Sequence, residues 1–370
     1  MCATVVIKDR AGFKIDKMIL RLYPVAKNSI QFILFLSLIS CLSRIDFPVE
    51  INGGRLVMSG QISTIGDQNI IELGTSADSE SLPNPLSGAT IKLIDDLGNA
   101  NYYIETKTGF YVLNDYRGIE GRTYHVEIEA PNGKRYKSLP EKMQPASGLG
   151  KVDYEIVNEP VVDFEGTSLP KNFCKIYANS TLASNKMYLK WSVNEAFLLS
   201  PTDFPDPFGS IPPPCFIVQN ADPQRVALLD GTTFASNKIR QLVASREIDW
   251  TFTEKHYFTT YQSTISKDAF EYWRKVNILA NQVGSIFDTP PAEVVGNMVC
   301  LSDPSEKVFG YFQSVNQTFQ RRDFYQSDLP FPLLVEKCDF TGDFDPLSYL
   351  PRCIDCESLR NSSFRRPSWF

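Results

Sequence analysis

The sequence predicts a mostly β protein with two β-sandwich domains, the second of which carries one amphipathic helix. The 370 residues include 24 Pro, 21 Gly, 25 Phe and 16 Tyr, which is typical of a turn-rich and aromatic-rich β protein. Short apolar stretches alternate with Gly, Pro, Asn and Asp clusters along most of the chain. One later segment instead repeats its apolar residues at three and four positions, as a helix does.

The first forty residues have the pattern of a signal peptide that ends at a lipoprotein processing site. An apolar run over residues 30–39 closes on Leu38-Ile39-Ser40-Cys41. A membrane-spanning helix needs about 20 apolar residues, whereas this run is shorter and includes Gln31, so it fits the apolar core of a signal peptide better. An uncleaved anchor or a core strand is the alternative.

Positive charge precedes the apolar run at Arg21 and Lys27. We therefore predict a signal peptide over residues 1–40, with the true start at Met18. Cys41 is predicted to carry the lipid, including palmitate, because its thiol is the group nucleophilic enough to accept diacylglycerol. Three acyl chains on one cysteine anchor a protein almost permanently.

Residues 41–54 follow as a lipidated tether, and the mature chain is acidic. Removal of residues 1–40 takes away six of the 37 basic and two of the 43 acidic residues, so 31 remain against 41, a net charge of −10. This charge argues against nucleic acid or an anionic membrane surface as a partner. The remaining length suits two domains of ordinary size.

Residues 55–140 are predicted to form the first β-sandwich. Tyr124–Glu129 shows the clearest strand pattern, because every second residue is apolar, as in a strand with one wet face. Turn signals such as Pro131-Asn132-Gly133 separate the strands. Seven strands are predicted: Leu56–Ser63, Ile70–Gly74, Thr90–Ile94, Tyr102–Thr106, Gly109–Leu113, Tyr124–Glu129 and Arg135–Ser138.

The order of motifs in this domain resembles the carboxypeptidase-regulatory-like immunoglobulin sandwich. A first strand over residues 56–62 is followed by a Pro-rich loop, by the segment 86–93, and by Thr108-Gly109 before an aromatic pair. The resemblance covers residues 55–140 and implies an immunoglobulin-like fold. It also implies a spacer or docking unit and no catalyst.

A linker over residues 141–151, which contains Pro145, is predicted to separate this domain from a second one. Residues 152–370 are predicted to form that second β-rich domain, again immunoglobulin-like. It would end in a tail that bears disulfides.

Residues 266–283 break the β pattern and predict one amphipathic helix packed on a sheet. Ser266 is the expected N-cap and Gly284 the C-terminal stop. We expect Trp273 to anchor the helix in the core, and the alternative is an exposed binding residue. The apolar positions at helical spacing are Ala269, Trp273, Val276, Ala280 and Val283.

The cysteine count predicts three disulfides. Six cysteines remain when Cys2 and the lipidated Cys41 are set aside, and an even number suits an oxidising compartment. Fifteen connectivities are open. Sequence proximity favours Cys174 with Cys215, which leaves Cys300 to join the C-terminal group. The six are Cys174, Cys215, Cys300, Cys338, Cys353 and Cys356.

Several motifs after the helix resemble the lipoprotein family called domain of unknown function 4249. They are residues 284–297 (GSIFDTPPAEVVGN), 303–312 (DPSEKVFGYF), 353–356 (CIDC) and 367–370 (PSWF), together with Tyr272-Trp273 within the helix. The resemblance runs from the lipoprotein processing site to the last residue. The usual ending resembles Pro-x-Phe-Trp, so the final two aromatic residues are exchanged here.

The family resemblance implies an outer-membrane lipoprotein of Gram-negative bacteria. Such proteins are often encoded beside a TonB-dependent transporter that carries its own regulatory-like domain. The transporter association favours the cell surface over the periplasmic face, although the residues after Cys41 contain no acidic cluster of the kind that exports some lipoproteins. No activity is established for the family.

The chemistry of the family motif indicates structural roles. Gly284 would end the helix, Phe287 would enter the core, and Pro290-Pro291 would fix an extended exit. Gly296-Asn297 would turn the chain into the strand that bears a cysteine. Gly310 lies in a predicted strand and would let a second strand or a partner pack closely.

No catalytic arrangement or metal site is recognisable in the sequence. His125 alternates with core residues, and His256 lies in a polar turn; neither is close to a cysteine or to a nucleophile elbow. The spacing of Cys353 and Cys356 is that of a redox motif, but their Pro-flanked tail favours a structural role. We therefore expect no enzyme activity, no cofactor and no metal; a polymer-degrading hydrolase that uses paired carboxylates is the least favoured reading.

Two functional hypotheses remain. The first is a non-enzymatic accessory or substrate-binding partner of a TonB-dependent transporter, in which aromatic residues of 257–261 and 319–325 stack on an oligosaccharide or line a peptide groove. The alternative is that these aromatic residues fill the core. The second hypothesis is a structural subunit of a larger outer-membrane assembly.

Overall fold

The computed structural model divides the chain into residues 1–50 and a compact unit of residues 51–370. The predicted signal peptide and Cys41 lie outside the described residues, as does all of the predicted tether except Gly54. The residues that the structure describes are 54–76, 83–163, 166–184, 186–199, 213–281, 294–333 and 361–370.

Strands make up most of the described chain, which confirms the predicted mostly β fold class. The strands are β1 (Leu56–Ser63), β2 (Ile70–Thr75), β3 (Asn84–Pro85), β4 (Thr90–Asp95), β5 (Ala100–Lys107), β6 (Phe110–Val112), β7 (Thr123–Glu129), β8 (Arg135–Ser138), β9 (Glu141–Lys142), β10 (Gly148–Val162), β11 (Ser168–Thr181), β12 (Tyr188–Leu199), β13 (Cys215–Asn220), β14 (Ala227–Asp230), β15 (Lys238–Glu247), β16 (His256–Ile265), β17 (Met298–Cys300), β18 (Phe309–Phe324) and β19 (Ser362–Ser363). All seven strands predicted for residues 55–140 are present, with ends that differ by at most two residues.

The strands form one large and one small sheet. The large sheet has the order β17-β8-β7-β4-β5-β6-β2-β1-β18-β16-β12-β13-β19, with β3, β9 and β14 attached to β2, β7 and β12. The small sheet has the order β10-β11-β15. Side chains of the small sheet, including Ile176, pack with Trp191 of β12 and Phe258 of β16 in one apolar cluster. Strand β16 is buried along its whole length.

Strand β18 connects segments that are far apart in sequence. It pairs in parallel with β1 from Val57↔Phe309 to Ser63↔Val315, and then antiparallel with β16 from Asn316 onward. Within the predicted linker, β9 pairs with β7 and β10 begins at Gly148. The division into domains 55–140 and 152–370 stays a prediction.

Two glycines allow neighbouring backbone segments to approach closely at β18. Gly310 has a φ of +98°, and a Cβ at this position would overlap the carbonyl oxygen of Met58 in β1. A Cβ at Gly296 would likewise overlap the carbonyl oxygen of Gly310. The prediction that Gly310 admits a closely packed strand is therefore confirmed, and that strand is β1.

The predicted amphipathic helix is α1 (Lys267–Asn281), slightly shorter than residues 266–283. Ser266 caps it as predicted, because its Oγ accepts a hydrogen bond from the backbone N–H of Ala269 at 3.0 Å. Ala269 and Phe270 are buried against Ile265 and other side chains of the large sheet. Gly284 lies outside the described residues.

Candidate functional site

A surface cleft of about 540 Å³ opens where two loops meet one face of β16 and β18. The loops, here called the rim loops, cover residues 65–67 after β1 and residues 114–117 after β6. The side chains and backbone around the cleft come from Ile65, Gly66, Asp67, Asn114, Asp115, Arg117, Tyr261, Phe319 and Arg321.

Two aromatic rings form the floor of the cleft. Tyr261 and Phe319 are cross-strand partners on β16 and β18, and their ring centroids lie 5.7 Å apart with a tilt of 38°. Tyr261 is 8% exposed, whereas Phe319 is 46% exposed. The buried ring therefore supports an exposed one, whose face is open to a ligand.

Arg321 is held in place beside this floor by three contacts. Its Nε donates to Thr259 Oγ1 at 2.9 Å, and its guanidinium lies 5.6 Å from the centroid of the Phe319 ring. Trp369, the last residue but one of the sequence, stacks on the same guanidinium at 3.7 Å and packs edge-on against Tyr257. The Trp369 ring thus covers this part of the sheet and orients a cleft residue.

The side chain of Asn69 joins the two rim loops from below. This residue is fully buried, and its Oδ1 accepts from the Ser63 N–H at 2.8 Å. Its amide nitrogen faces the carbonyl oxygens of Gly66 (3.2 Å), Leu113 (3.2 Å) and Tyr116 (2.5 Å). Both loops are therefore tied to one rigid group, so the cleft is formed without a ligand.

The rim carries two charges of each sign. Asp67, Asp115 and Arg117 are exposed, Arg321 is half-buried, and no ion pair joins any of the four within the described part of the chain. Asp115 has a φ of +59°, which is uncommon for a residue other than glycine and clusters at functional sites. Burial raises the pKa of Tyr261, and the nearby Asp67 carboxylate adds to this effect while Arg321 opposes it.

These groups have the chemistry of a binding site. Carboxylates and an amide carbonyl accept hydrogen bonds, guanidinium groups and an amide donate them, and an exposed ring offers an apolar face. The described lining contains no Ser, Cys or His side chain that could serve as a nucleophile or general base in the usual arrangements.

Sequence reasoning identified the floor of this cleft but not its rim. Segments 257–261 and 319–325 were expected to supply ligand-binding aromatic residues, and the structure brings Tyr261 and Phe319 together from them. Most other rings in these segments, such as Phe258 and Phe324, fill the core, which was the alternative to ligand binding. The rim loops carried no recognisable motif.

Trp273 and Asn297 of the family motif make structural contacts. Trp273 is half-buried against the sheet, and its Nε1 donates to Gln313 Oε1 at 2.9 Å, which agrees with a core anchor. Asn297 is buried and bonds both ways to the Phe312 backbone, at 2.7 and 2.9 Å. Gly284, Phe287, Pro290 and Pro291 lie outside the described residues.

The predicted disulfide scheme is wrong for two of its six cysteines. Cys174 and Cys300 are free and buried, whereas Cys215 is disulfide-bonded. Cys174 lies in the small sheet and Cys215 in the large one, within separate apolar clusters, so their proximity in sequence is not proximity in space. Burial raises the pKa of the Cys174 thiol to about 12. Cys338, Cys353 and Cys356 lie outside the described residues.

A buried charge cluster replaces the polar turn that was expected around His256. Glu195 Oε2 of β12 lies 2.7 Å from Arg246 Nε of β15 and 3.2 Å from His256 Nε2. Its Oε1 accepts from Gln219 Nε2 at 2.6 Å, and the Phe252 ring stacks on the imidazole at 4.2 Å. Glu195 and His256 are at most 1% exposed, so this cluster joins the two sheets and is closed to ligands.

Two further properties concern the described residues only. They contain no group of three or more His, Cys, Asp or Glu side chains that could hold a metal ion. None of their helices is long and apolar enough to cross a membrane.

Comparison with known proteins identifies the family. A search of curated proteins finds none that matches the chain. A family model described as a domain of unknown function matches residues 43–321, which is most of the chain and includes every described residue of the cleft. The chain therefore belongs to the family named Domain of unknown function (DUF4249).

Proposed function

We propose that this protein is a non-enzymatic, lipid-anchored accessory protein of the outer membrane, and that it binds a ligand for a TonB-dependent transporter. The observation that carries the binding role is the preformed cleft with Phe319 on its floor. Large exposed aromatic rings surrounded by convergent polar groups are typical of ligand sites.

The construction of the cleft supports this role. Its volume of about 540 Å³ suits a small ligand. The rim loops are fixed by Asn69 and the guanidinium of Arg321 is fixed by Thr259 and Trp369, so little conformational freedom is lost on binding. The ligand is an oligosaccharide or a peptide.

The location of the two histidines favours binding over catalysis. His256 is enclosed between aromatic rings, away from the cleft, and His125 lies on β7, where it faces Glu127 at 3.7 Å. The anchor at Cys41 and the transporter partner rest on the sequence and on the resemblance of the chain to its family.

Purification of the full-length protein from native membranes in mild detergent tests this proposal. The wild type and the Phe319→Ala variant would be isolated in parallel, and mass spectrometry would identify the lipid on Cys41, the proteins that co-purify, and the bound small molecules. Phe234→Ala is the matched control, because Phe234 is a similarly exposed ring (43%) outside the cleft.

The proposal expects an acylated Cys41, a stoichiometric TonB-dependent transporter, and a compound that is lost from Phe319→Ala but not from Phe234→Ala. Recovery within a larger assembly, with no compound that depends on Phe319, would favour a structural subunit instead. An isolated monomer that hydrolyses a polymer would favour an enzyme.

A further inference from the structure

The cleft lies at the point where β1 separates from β18. The two strands pair through Ser63↔Val315, and the next residue, Thr64, turns away. The Thr64 side chain closes the end of the ladder, because the Gln317 N–H donates to Thr64 Oγ1 at 3.0 Å and the same hydroxyl lies 3.3 Å from the Gln317 carbonyl oxygen. Beyond this point β18 continues without β1.

The backbone of β18 then presents an edge. In a strand, the N–H and C=O groups of every second residue point to the same side. Val315 and Gln317 direct theirs toward the β1 side, as their bonds to Thr64 show. Phe319 and Arg321 must therefore direct theirs to that side too, away from β16.

No hydrogen bond satisfies these four groups within the described part of the chain. Residues 316–324 pair with β16 along their other side, and β1 ends before Phe319. Both Phe319 and Arg321 line the cleft, across from the rim loops. The wall of the cleft is thus a short, open strand edge, which is a template for another extended chain.

We propose that the cleft binds an extended peptide of a few residues, which adds as a strand to β18 at Phe319 and Arg321. This inference rests on the proposed binding function and narrows its ligand to one of the two classes. In this mode of recognition, main-chain hydrogen bonds supply affinity and alternate side chains supply specificity.

The other cleft groups fit such a ligand. A peptide side chain beside Phe319 would point to the same face and stack on its ring. The rim offers the exposed carboxylates of Asp67 and Asp115 and the guanidinium of Arg117, none of which forms an ion pair within the described residues, so both charged ends of a short peptide find a partner. An oligosaccharide would use the ring and the charges but would leave the ladder of backbone groups unmatched.

A binding screen followed by N-methylation tests the inference. The full chain would be screened against a synthetic hexapeptide library with free termini, and against maltohexaose, cellohexaose, xylohexaose and mannohexaose. The best peptide would then be N-methylated at one amide at a time, and affinities would be measured by calorimetry for the wild type, Phe319→Ala and Phe234→Ala.

Strand addition predicts that at least one peptide binds, that Phe319→Ala weakens it at least about tenfold, and that Phe234→Ala does not. It also predicts alternation: N-methylation at every second amide abolishes binding, whereas methylation at the amides between is tolerated.

Three results would overturn the inference. Phe319-dependent binding of an oligosaccharide and of no peptide would leave the binding function intact but name the wrong ligand. Peptide binding without alternation would exclude strand addition. A lack of any Phe319-dependent binding would contradict both the inference and the proposed function.

Discussion

Tyr261 and Phe319 lie directly opposite each other on β16 and β18, yet one ring is buried and the other is half-exposed. The difference arises because the sheet continues beyond Tyr261 to β12, whereas no strand among the described residues pairs with the far side of β18 at Phe319. One aromatic pair thus serves both the core and the surface.

Because of this difference, we expect truncation of Tyr261 to affect stability and truncation of Phe319 to affect ligand binding. Tyr261→Ala should lower the free energy of unfolding by about 3 kcal/mol, because it leaves a cavity in the core. Phe319→Ala should change the free energy of unfolding by less than about 1 kcal/mol but weaken ligand binding at least about tenfold. Urea unfolding measures both values, and equal losses of stability would contradict the division of roles.

We expect substitution of Asn69 to increase the mobility of the rim loops and of no other segment. Asn69→Ala removes the group that bonds to both rim loops and leaves buried carbonyl oxygens without a donor, which should cost about 2–3 kcal/mol. Asn69→Asp should cost as much, since a carboxylate cannot donate to carbonyl groups. Hydrogen exchange of residues 65–67 and 114–117 should rise in both variants. Unchanged exchange in Asn69→Ala would show that the loops are held by other contacts.

We expect substitution of Trp369, which lies outside the cleft lining, to weaken ligand binding in the cleft. Trp369→Ala removes the ring that stacks on Arg321, so the guanidinium gains freedom and ligand affinity should fall by about tenfold, or ~1.4 kcal/mol. Trp369→Phe should retain part of the affinity. Phe364→Ala is the matched control in the same segment, because Phe364 is 51% exposed. Equal affinities of Trp369→Ala and the wild type would contradict the positioning role.

We expect the buried residues Glu195 and Glu141 to make the stability of the protein depend on pH in opposite directions. Burial alone would raise the pKa of Glu195, but the adjacent His256 imidazole and the charge of Arg246 outweigh it, so the pKa of Glu195 is lowered. Its stabilisation is therefore present above the ordinary carboxyl pKa and is lost as the pH falls through the lowered value. Burial raises the pKa of Glu141, despite hydrogen bonds from Tyr311 and Ser266. Its contribution is present at low pH and is lost as the pH rises through the raised value.

The unfolding free energy measured from pH 3 to pH 8 separates these effects. Glu195→Gln should flatten the loss of stability at acidic pH, and Glu141→Gln should flatten the loss toward neutral pH. Glu195→Gln should also lower stability at pH 7 by about 3 kcal/mol, because it removes one of the two carboxylates that pair with the buried Arg246 and leaves only Asp249. Identical pH profiles for the wild type and both variants would refute the assigned shifts.

The sequence predicts those elements correctly whose pattern lies within a short segment of the chain. Alternating apolar residues and turn signals located β1, β2, β7 and β8 almost to the residue, and the helical repeat located α1. The close packing at Gly310 was also predictable, because a glycine within an aromatic strand has few other uses.

The rim and the open edge could not be predicted because they depend on pairing between distant segments. Nothing near Ser63 indicates that its strand runs beside Val315, or that the two separate one residue later. The burial of His256 could not be predicted for the same reason. Its neighbours in sequence are polar, but Glu195, which lies 3.2 Å from its ring, and Arg246, which pairs with Glu195, come from other strands.

Residue-resolved hydrogen exchange of β18 tests the central claim most directly. In the free protein, the amides of Phe319 and Arg321 should exchange rapidly, while those of Thr318 and Gln320, which face β16, should be protected. Saturation with the tightest-binding peptide should protect Phe319 and Arg321 as well. Protection of these two amides before any ligand is added, or rapid exchange in the saturated complex, would contradict the account.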